Sequence, residues 1–239
     1  MASEKMSSKN KDIISDDNYL NFINMLSHDF AAPVRHVLEF SNLLAQSAKG
    51  KLEGDELTYL AFIQDAAQKI SAMHAVLKDY SDMFAQQLNL IETSMMDMVE
   101  ALSEQLKQIY ENINIVIDEL PVISVDSKMM RRAFSYILNN AALYHSPDTS
   151  AHIHIRYMRE GNFHVFKIID NGIGIPAAKR DYVFTLFRRL HAEDAYGGGL
   201  GAGLSLAQKI IECHGGLINI NDNPSGGTIV TISLPAKNN

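Results

Sequence analysis

A single cysteine, Cys213, is all the thiol chemistry that this 239-residue chain carries. No internal disulfide framework and no cysteine-rich zinc site can be built from it, and the count fits a reducing compartment such as the cytoplasm. Positive charge is also in short supply. The chain has 21 Lys and Arg against 28 Asp and Glu, a formal net charge of -7 and a pI near 5.7. That balance suits neither nucleic-acid phosphates nor an anionic membrane surface. No stretch approaches the ~18 consecutive apolar residues of a membrane span. The opening MASEKMSSKNKDIISDD has no apolar run behind its basic residues and does not read as a secretory signal. What remains is ordinary globular composition, 46% hydrophobic and 21% charged, enough for one large domain or two small ones.

The first third is helical in pattern. After a flexible leader over residues 1–17, a helix is expected from about Asn18 to Gln46, with Ile23, Phe30, Val34, Val37 and Leu44 in four-three spacing and Ser27 and Ser41 as polar members of the seam. The run KGKLEGDE, Lys49 to Glu56, breaks it with two glycines. A second helix is expected from about Glu56 to Leu88. It carries Leu60, Ile63, Ala67, Ile70, His74, Leu77, Ser81, Phe84 and Leu88 without interruption of the same spacing. A seam sustained over more than three heptads belongs to coiled-coil or bundle packing. One hairpin cannot bury such a seam alone, so a homodimer through the hairpin, forming a four-helix bundle, is expected.

Beyond Gln87–Glu92 the texture changes to a mixed α+β layer with helices on one face of a sheet. A helical segment, Met95 to Tyr110, precedes strand patterns at Ile113–Asp118 and Leu120–Asp126. A helix from Ser127 to about Leu143 follows. Two strands then turn at Glu160–Gly161–Asn162, the second ending at Asp170. A helix from Leu204 to Cys213 and two closing strands, GLININD and GTIVTISL, complete the pattern.

Four places carry candidate chemistry. In DNGIGIP, Asp170 to Pro176, an aspartate ends an apolar strand and two spaced glycines follow, a pattern that lets a ligand come close and offers a carboxylate to an exocyclic amine. In Gly197 to Gly216, the alternating Gly199, Gly201 and Gly203 lead into a helix whose exposed N–H groups suit a phosphate chain. Asn139 and Asn140 lie late on the helix from Ser127, and an amide oxygen is a hard donor fit for Mg²⁺. In SHDFAAPVR, Ser27 to Arg35, His28 precedes an acid, with Pro33 five residues on. A neutral imidazole there can attack phosphorus while Asp29 takes or orients its proton. A dinucleotide-binding fold would need a βαβ context that the glycine stretch lacks.

Taken in order, these motifs resemble the transmitter region of two-component sensor histidine kinases, phytochrome-like subgroup. SHDFAAPVR is similar to the family's H-box, SYILNNAALYHSP to its N-box and DNGIGIP to its G1 box. VFTLFRRL, Val183 to Leu190, is similar to its F-box, and GLGAGL, Gly199 to Leu204, to its G2 box. The likeness runs from about Asn18 to Pro235 and is reinforced by the RRLH and HGG stretches. It implies an α+β fold: a helical hairpin forming a dimeric four-helix bundle (residues 18–89), then an α/β sandwich of the Bergerat ATP-binding type (residues 90–239). It implies an ATP-dependent protein-histidine kinase with ATP and Mg²⁺ as cofactors, His28 as the phosphorylated residue and Asp29 as its acidic helper. Asn140 would ligate Mg²⁺ and Asp170 would bind the adenine amine. Tyr144, Gly172, Gly174, Phe187, Gly199, Leu200, Gly201, Ala202, Gly203 and Leu204 would surround the nucleotide, and Phe184 would pack the lid. The phosphoryl group would pass to a response regulator receiver domain.

Four positions depart from the family pattern. Tyr136 stands where the family often has Asn. Leu143 stands where it has Lys or Arg and cannot hold a phosphate, although His145 is near in sequence. Leu200 replaces a small polar residue, and Ala32 replaces the Thr or Asn that serves phosphatase activity. These departures motivate the alternative of a dimeric histidine phosphotransfer or scaffold protein with weakened ATP binding. A serine kinase of the anti-sigma type would need neither bundle nor H-box. With about 17 residues ahead of the first helix, either input comes from a separately encoded sensor protein in trans, the reading favoured here, or the chain is a piece of a longer protein.

Overall fold

A computed structural model describes residues 25, 29–84, 87–145, 149–190 and 199–236, which fall into two compact units, the second beginning at Leu88. In the first unit, helix α1 occupies residues 29–48 and continues through Pro33. A turn at Lys49–Lys51 leads to helix α2, Asp55–Phe84. The helices are antiparallel partners, with Gln64 Nε2 donating to Asn42 Oδ1 at 3.1 Å. The expected seam splits into two sets. Val34, Ser41 and Ala48 on α1, and Leu60, Ala67 and Ser81 on α2, are buried within the hairpin at intervals of seven or fourteen residues, with His74 half-buried among them. Phe30, Val37 and Leu44, and Ile63 and Ile70, keep about half of their surface exposed. The second helix is described as far as Phe84 and the chain at 87–89 is irregular, so the helical pattern expected up to Leu88 runs past the helix.

The second unit is a helix-on-sheet sandwich. Its elements in chain order are β1 (Leu90–Ser94), α3 (Met95–Ile109), β2 (Ile113–Ile117), β3 (Val122–Asp126), α4 (Ser127–Leu143), β4 (Ala151–Glu160), β5 (Phe163–Asp170), α5 (Gly203–Cys213), β6 (Leu217–Asp222) and β7 (Thr228–Pro235). Short 3₁₀ turns lie at Ala177–Lys179 and Tyr182–Phe184. The main sheet runs β2-β4-β5-β7-β6, parallel only between β2 and β4. Strand β1 was not anticipated in the sequence; it pairs antiparallel with β3, Leu90 opposite Asp126.

Period-two alternation places the core. Tyr157, Phe166, Ile232 and Ile218 form one row across four strands, and Ile155, Ile168, Val230 and Ile220 form the next. Helix α4 covers these rows with Met130, Ala133, Phe134, Ile137 and Leu138, all almost fully buried, and Phe134 meets Phe166 edge-on at 5.6 Å. Ser94 caps α3 through the Asp97 amide at 3.2 Å, and Asp126 caps α4 through the Met129 amide at 3.0 Å. Among the described residues, no helix is long and apolar enough to cross a membrane.

Candidate active site

Continued toward the end of β5, the same alternation brings Asp170 to the helix-facing side, where a core residue would be expected. The carboxylate is only 7% exposed. Two backbone amides meet its Oδ1, from Gly172 and from Thr228, each at 2.8 Å. Its carbonyl oxygen accepts from Asn223 Nδ2 at 2.8 Å. Oδ2 has no donor among the described residues. Burial raises the Asp170 pKa above the usual carboxylate value, and the two amide bonds oppose that rise.

The cradle is made by backbone that tolerates no side chain. A Cβ on Gly172 would strike the Tyr144 carbonyl oxygen. One on Gly227, which has φ +97°, would strike the Asp170 carbonyl oxygen and stand 2.7 Å from Asp170 Oδ1. Asn223, Gly227 and Thr228 were not singled out in the sequence. The pair of glycines before Thr228 was the available signal, but what they close upon lies 58 residues upstream of Thr228.

The loop after Asp170 is tied to the end of α4, because the Ile173 amide donates to the Tyr144 carbonyl at 3.0 Å. Tyr144 caps α4, and its own amide bonds the Asn140 carbonyl at 3.0 Å. The two asparagines of this helix differ in kind. The Asn139 amide is committed to its own helix through the Ser135 carbonyl at 2.7 Å and the Ser135 hydroxyl at 3.2 Å. Asn140 is half-buried and its side chain makes no hydrogen bond to any described residue, so its oxygen is free for a ligand. His145, considered as a stand-in for the basic residue missing at Leu143, turns Nδ1 onto the Ala142 carbonyl at 2.7 Å and so caps the helix.

One turn before Asn140, Tyr136 packs its ring over Gly203, whose Cα faces the Tyr136 side chain closely enough that a Cβ would sit 3.5 Å away. The Tyr136 hydroxyl accepts from Arg132 Nη2 at 3.1 Å. The segment into α5 lies against the F-box. Gly201, at φ +69°, approaches the Arg188 carbonyl and the Arg189 stem so closely that a Cβ would stand 2.5 Å from the former. Phe187 holds a left-handed φ of 61°, rare for a bulky residue, and the following Arg188 lies with Lys179 near the Tyr182 ring, at 5.5 and 5.2 Å from its centroid. The α5 N-cap, Ala202, is buried and offers no side-chain cap, so the first amides of α5 keep their donors. Ser205 Oγ returns to the Ala202 carbonyl at 2.8 Å.

The structure thus brings Asp170, Gly172, Tyr144 and Asn140 into one connected wall, which extends through Tyr136 to Gly203. Gly174 faces the β6–β7 turn, where a Cβ would lie 3.5 Å from the Gly227 carbonyl. Gly199 is exposed, while Leu200 and Leu204 are half-buried. Asp29 stands exposed on α1; His28, the glycines at 197 and 198 and the Tyr196 region lie outside the described residues.

Residues 125–238 match the family model of histidine kinase-, DNA gyrase B- and HSP90-like ATPases. The chain is 29% identical over 219 residues to cyanobacterial phytochrome A of Nostoc sp., which covers 90% of this chain and 28% of that protein. The chain therefore spans less than a third of that relative. The mycobacterial sensor histidine kinase MprB shares the fold over 62% of this chain and 98% of its own, with TM-score 0.55 and 24% identity. Full-length ShkA, solved in complex with AMPPNP, shares it over 90% of this chain and 45% of its own, with TM-score 0.64 and 18% identity. Residues 125–238 thus carry the histidine kinase-, DNA gyrase B- and HSP90-like ATPase domain, and over 90% of its length the chain is similar to part of a cyanobacterial phytochrome, as a transmitter region of the phytochrome-like subgroup of sensor histidine kinases would be.

Proposed function

We propose that the chain transfers the γ-phosphoryl group of ATP to His28 and then to an aspartate of a response regulator receiver domain. Residues 18–89 would dimerise and carry the phosphoacceptor, and residues 90–239 would bind the nucleotide. The observation that carries this reading is Asp170, a buried carboxylate whose Oδ1 is satisfied by two backbone amides while Oδ2 is left for a ligand. A buried acceptor of this kind selects a donor, and the exocyclic amine of adenine is one; guanine would turn its own acceptor O6 toward the carboxylate. ATP is therefore preferred over GTP.

The remaining groups follow the nucleotide outward. The open amides at the start of α5 and the positive end of its dipole suit the phosphate chain. Mg²⁺ takes oxygen donors and keeps several waters, so one free amide oxygen at Asn140, with phosphate oxygens, fits it. When bound, the ion would neutralise phosphate charge. His28 would attack with its neutral ring nitrogen. A nitrogen–phosphorus bond forms, the bond from the γ-phosphorus to its bridging oxygen breaks, ADP leaves, and Asp29 takes the proton from the other ring nitrogen.

The same reading makes the hairpin a homodimer. Phe30, Val37, Leu44, Ile63 and Ile70 repeat at heptad spacing and are half exposed in one chain. Burying the exposed half of each contributes about 1 kcal/mol, and a second hairpin supplies the matching surface. A fluorescent ATP analogue tests the nucleotide half of the proposal. Binding should be displaced by ATP well ahead of GTP and lost in Asp170→Ala; equal displacement by GTP would count against Asp170 as the base-reading group.

A further inference from the structure

Helices α4 and α5 run side by side, and the nucleotide groups lie at one end of the pair. There Tyr136 packs on Gly203, and Asn140 follows one turn later. At the opposite end the His214 side chain bonds across from the end of α5 to the start of α4. His214 is the C-cap of α5. Its helix closes with a Schellman arrangement, the Gly215 amide on the Glu212 carbonyl and the Gly216 amide on the Ile211 carbonyl, both at 2.9 Å. The imidazole then bonds in two directions. Nε2 accepts from the Asp126 amide at 3.0 Å, so the ring proton resides on Nδ1, which donates to the Ile210 carbonyl at 2.7 Å.

Asp126 is itself a junction. Oδ1 caps α4 at the Met129 amide, and Oδ2 accepts from the Asn89 amide at 3.0 Å, the residue just ahead of β1. Asp126 thus touches the lead-in to the second unit and the first turn of α4, and through His214 the last turn of α5. Burial lowers the His214 pKa, against the pull of the Ile210 carbonyl and the Asp126 charge, and so favours the neutral ring that this two-way bond requires. The start of α5 has no side-chain cap, so its place depends on packing and on what is fixed at its far end, 11 residues or about 16 Å away.

We propose that His214 is a positioning residue for the nucleotide site: through Asp126 it locks α4 and α5 in register, and with them Asn140 and the Gly201–Gly203 turn. The assignment rests on the nucleotide site proposed above. It is distinct from simple core filling, because it requires an acceptor at the Nε2 position and not merely a ring of the right size.

Three variants of the full chain test it: His214→Phe, which keeps the ring volume, His214→Gln, which keeps an acceptor at the Nε2 distance, and His214→Asn, which keeps only the Nδ1-like group. Amide hydrogen exchange is read at Asp126 and across 201–206, and the dissociation constant of a fluorescent ATP analogue is measured in parallel. The expected result is faster exchange at both places and at least fivefold weaker binding in His214→Phe and His214→Asn. His214→Gln should return both to within about twofold of the parent chain. Loss of protection at Asp126 with no change across 201–206, or Gln behaving like Phe, would overturn the proposal. If His214→Phe does not fold, the Gln and Asn pair decides alone. If the parent chain binds no nucleotide, the ATP-site reading fails, and exchange across 201–206 still judges the clamp.

Discussion

The amide of Thr228 donates to Oδ1 of Asp170 at 2.8 Å, across 58 residues of chain. That bond joins the end of β5 to the start of β7 and fixes which carboxylate oxygen stays free. Replacing Asp170 by Asn keeps the shape but removes the charge that holds an amine donor. ATP affinity should fall at least tenfold, about 1.4 kcal/mol, as measured by titration calorimetry.

The same carboxylate gives opposite pH trends for stability and for binding. Its folded-state pKa is raised by burial, so its contribution to the stability of the nucleotide-free chain is fully present below the ordinary unfolded value and is lost as pH rises through the raised folded value. ATP needs the ionised form. The rise in melting temperature given by ATP should therefore shrink as pH falls through that raised value, and the dependence should vanish in Asp170→Asn. Thermal denaturation with and without ATP between about pH 4 and pH 7 reads both slopes.

Gly227→Ala places a methyl group against the Asp170 carbonyl at a φ of +97°. Strained backbone and a displaced carboxylate both follow. The expected loss of stability is at least ~2 kcal/mol in urea denaturation, with ATP binding reduced in the molecules that remain folded. A neutral outcome would show that the β6–β7 turn is not what seats Asp170.

Leu143 is half-buried one residue before the Tyr144 cap. If the missing basic residue of the N-box limits phosphate binding, Leu143→Lys tightens ATP by threefold or more, in line with a charge-assisted bond of about 1.5 kcal/mol partly offset by desolvation. The gain should be larger for ATP than for adenosine, a comparison that isolates the phosphates.

Ile63 and Ile70 keep about half of their surface exposed on one chain. Ile63→Asp with Ile70→Asp should convert a dimer to a monomer in light scattering, while the second unit retains its ATP affinity. An unchanged mass would place the dimer contact elsewhere.

Much of the fold was legible because it is written in local period. Alternation in HVFKIID predicted a strand ending at Asp170, but that this acid takes a core position on the helix-facing side followed only from the pairing of β5 with its neighbours. The heptads of α1 and α2 were equally plain, but not which half of the seam each hairpin keeps to itself. Strand β1 escaped notice because LIETS has only two buried or half-buried positions, and its order comes from pairing with β3, more than 25 residues on. The end of α2 escaped because the apolar spacing continues to Leu88, where the chain is already irregular. Asn223, Gly227, Thr228 and the link from His214 to Asp126 act through contacts between distant segments, which no local pattern encodes.

The most direct measurement is incubation of the full chain with Mg²⁺ and γ-labelled ATP, followed by acid and alkali treatment, in the parent and in His28→Gln. The account predicts a label that survives alkali, is lost in acid and is absent from the variant. A label of unchanged size in His28→Gln, or none in a parent chain that binds ATP, would contradict it.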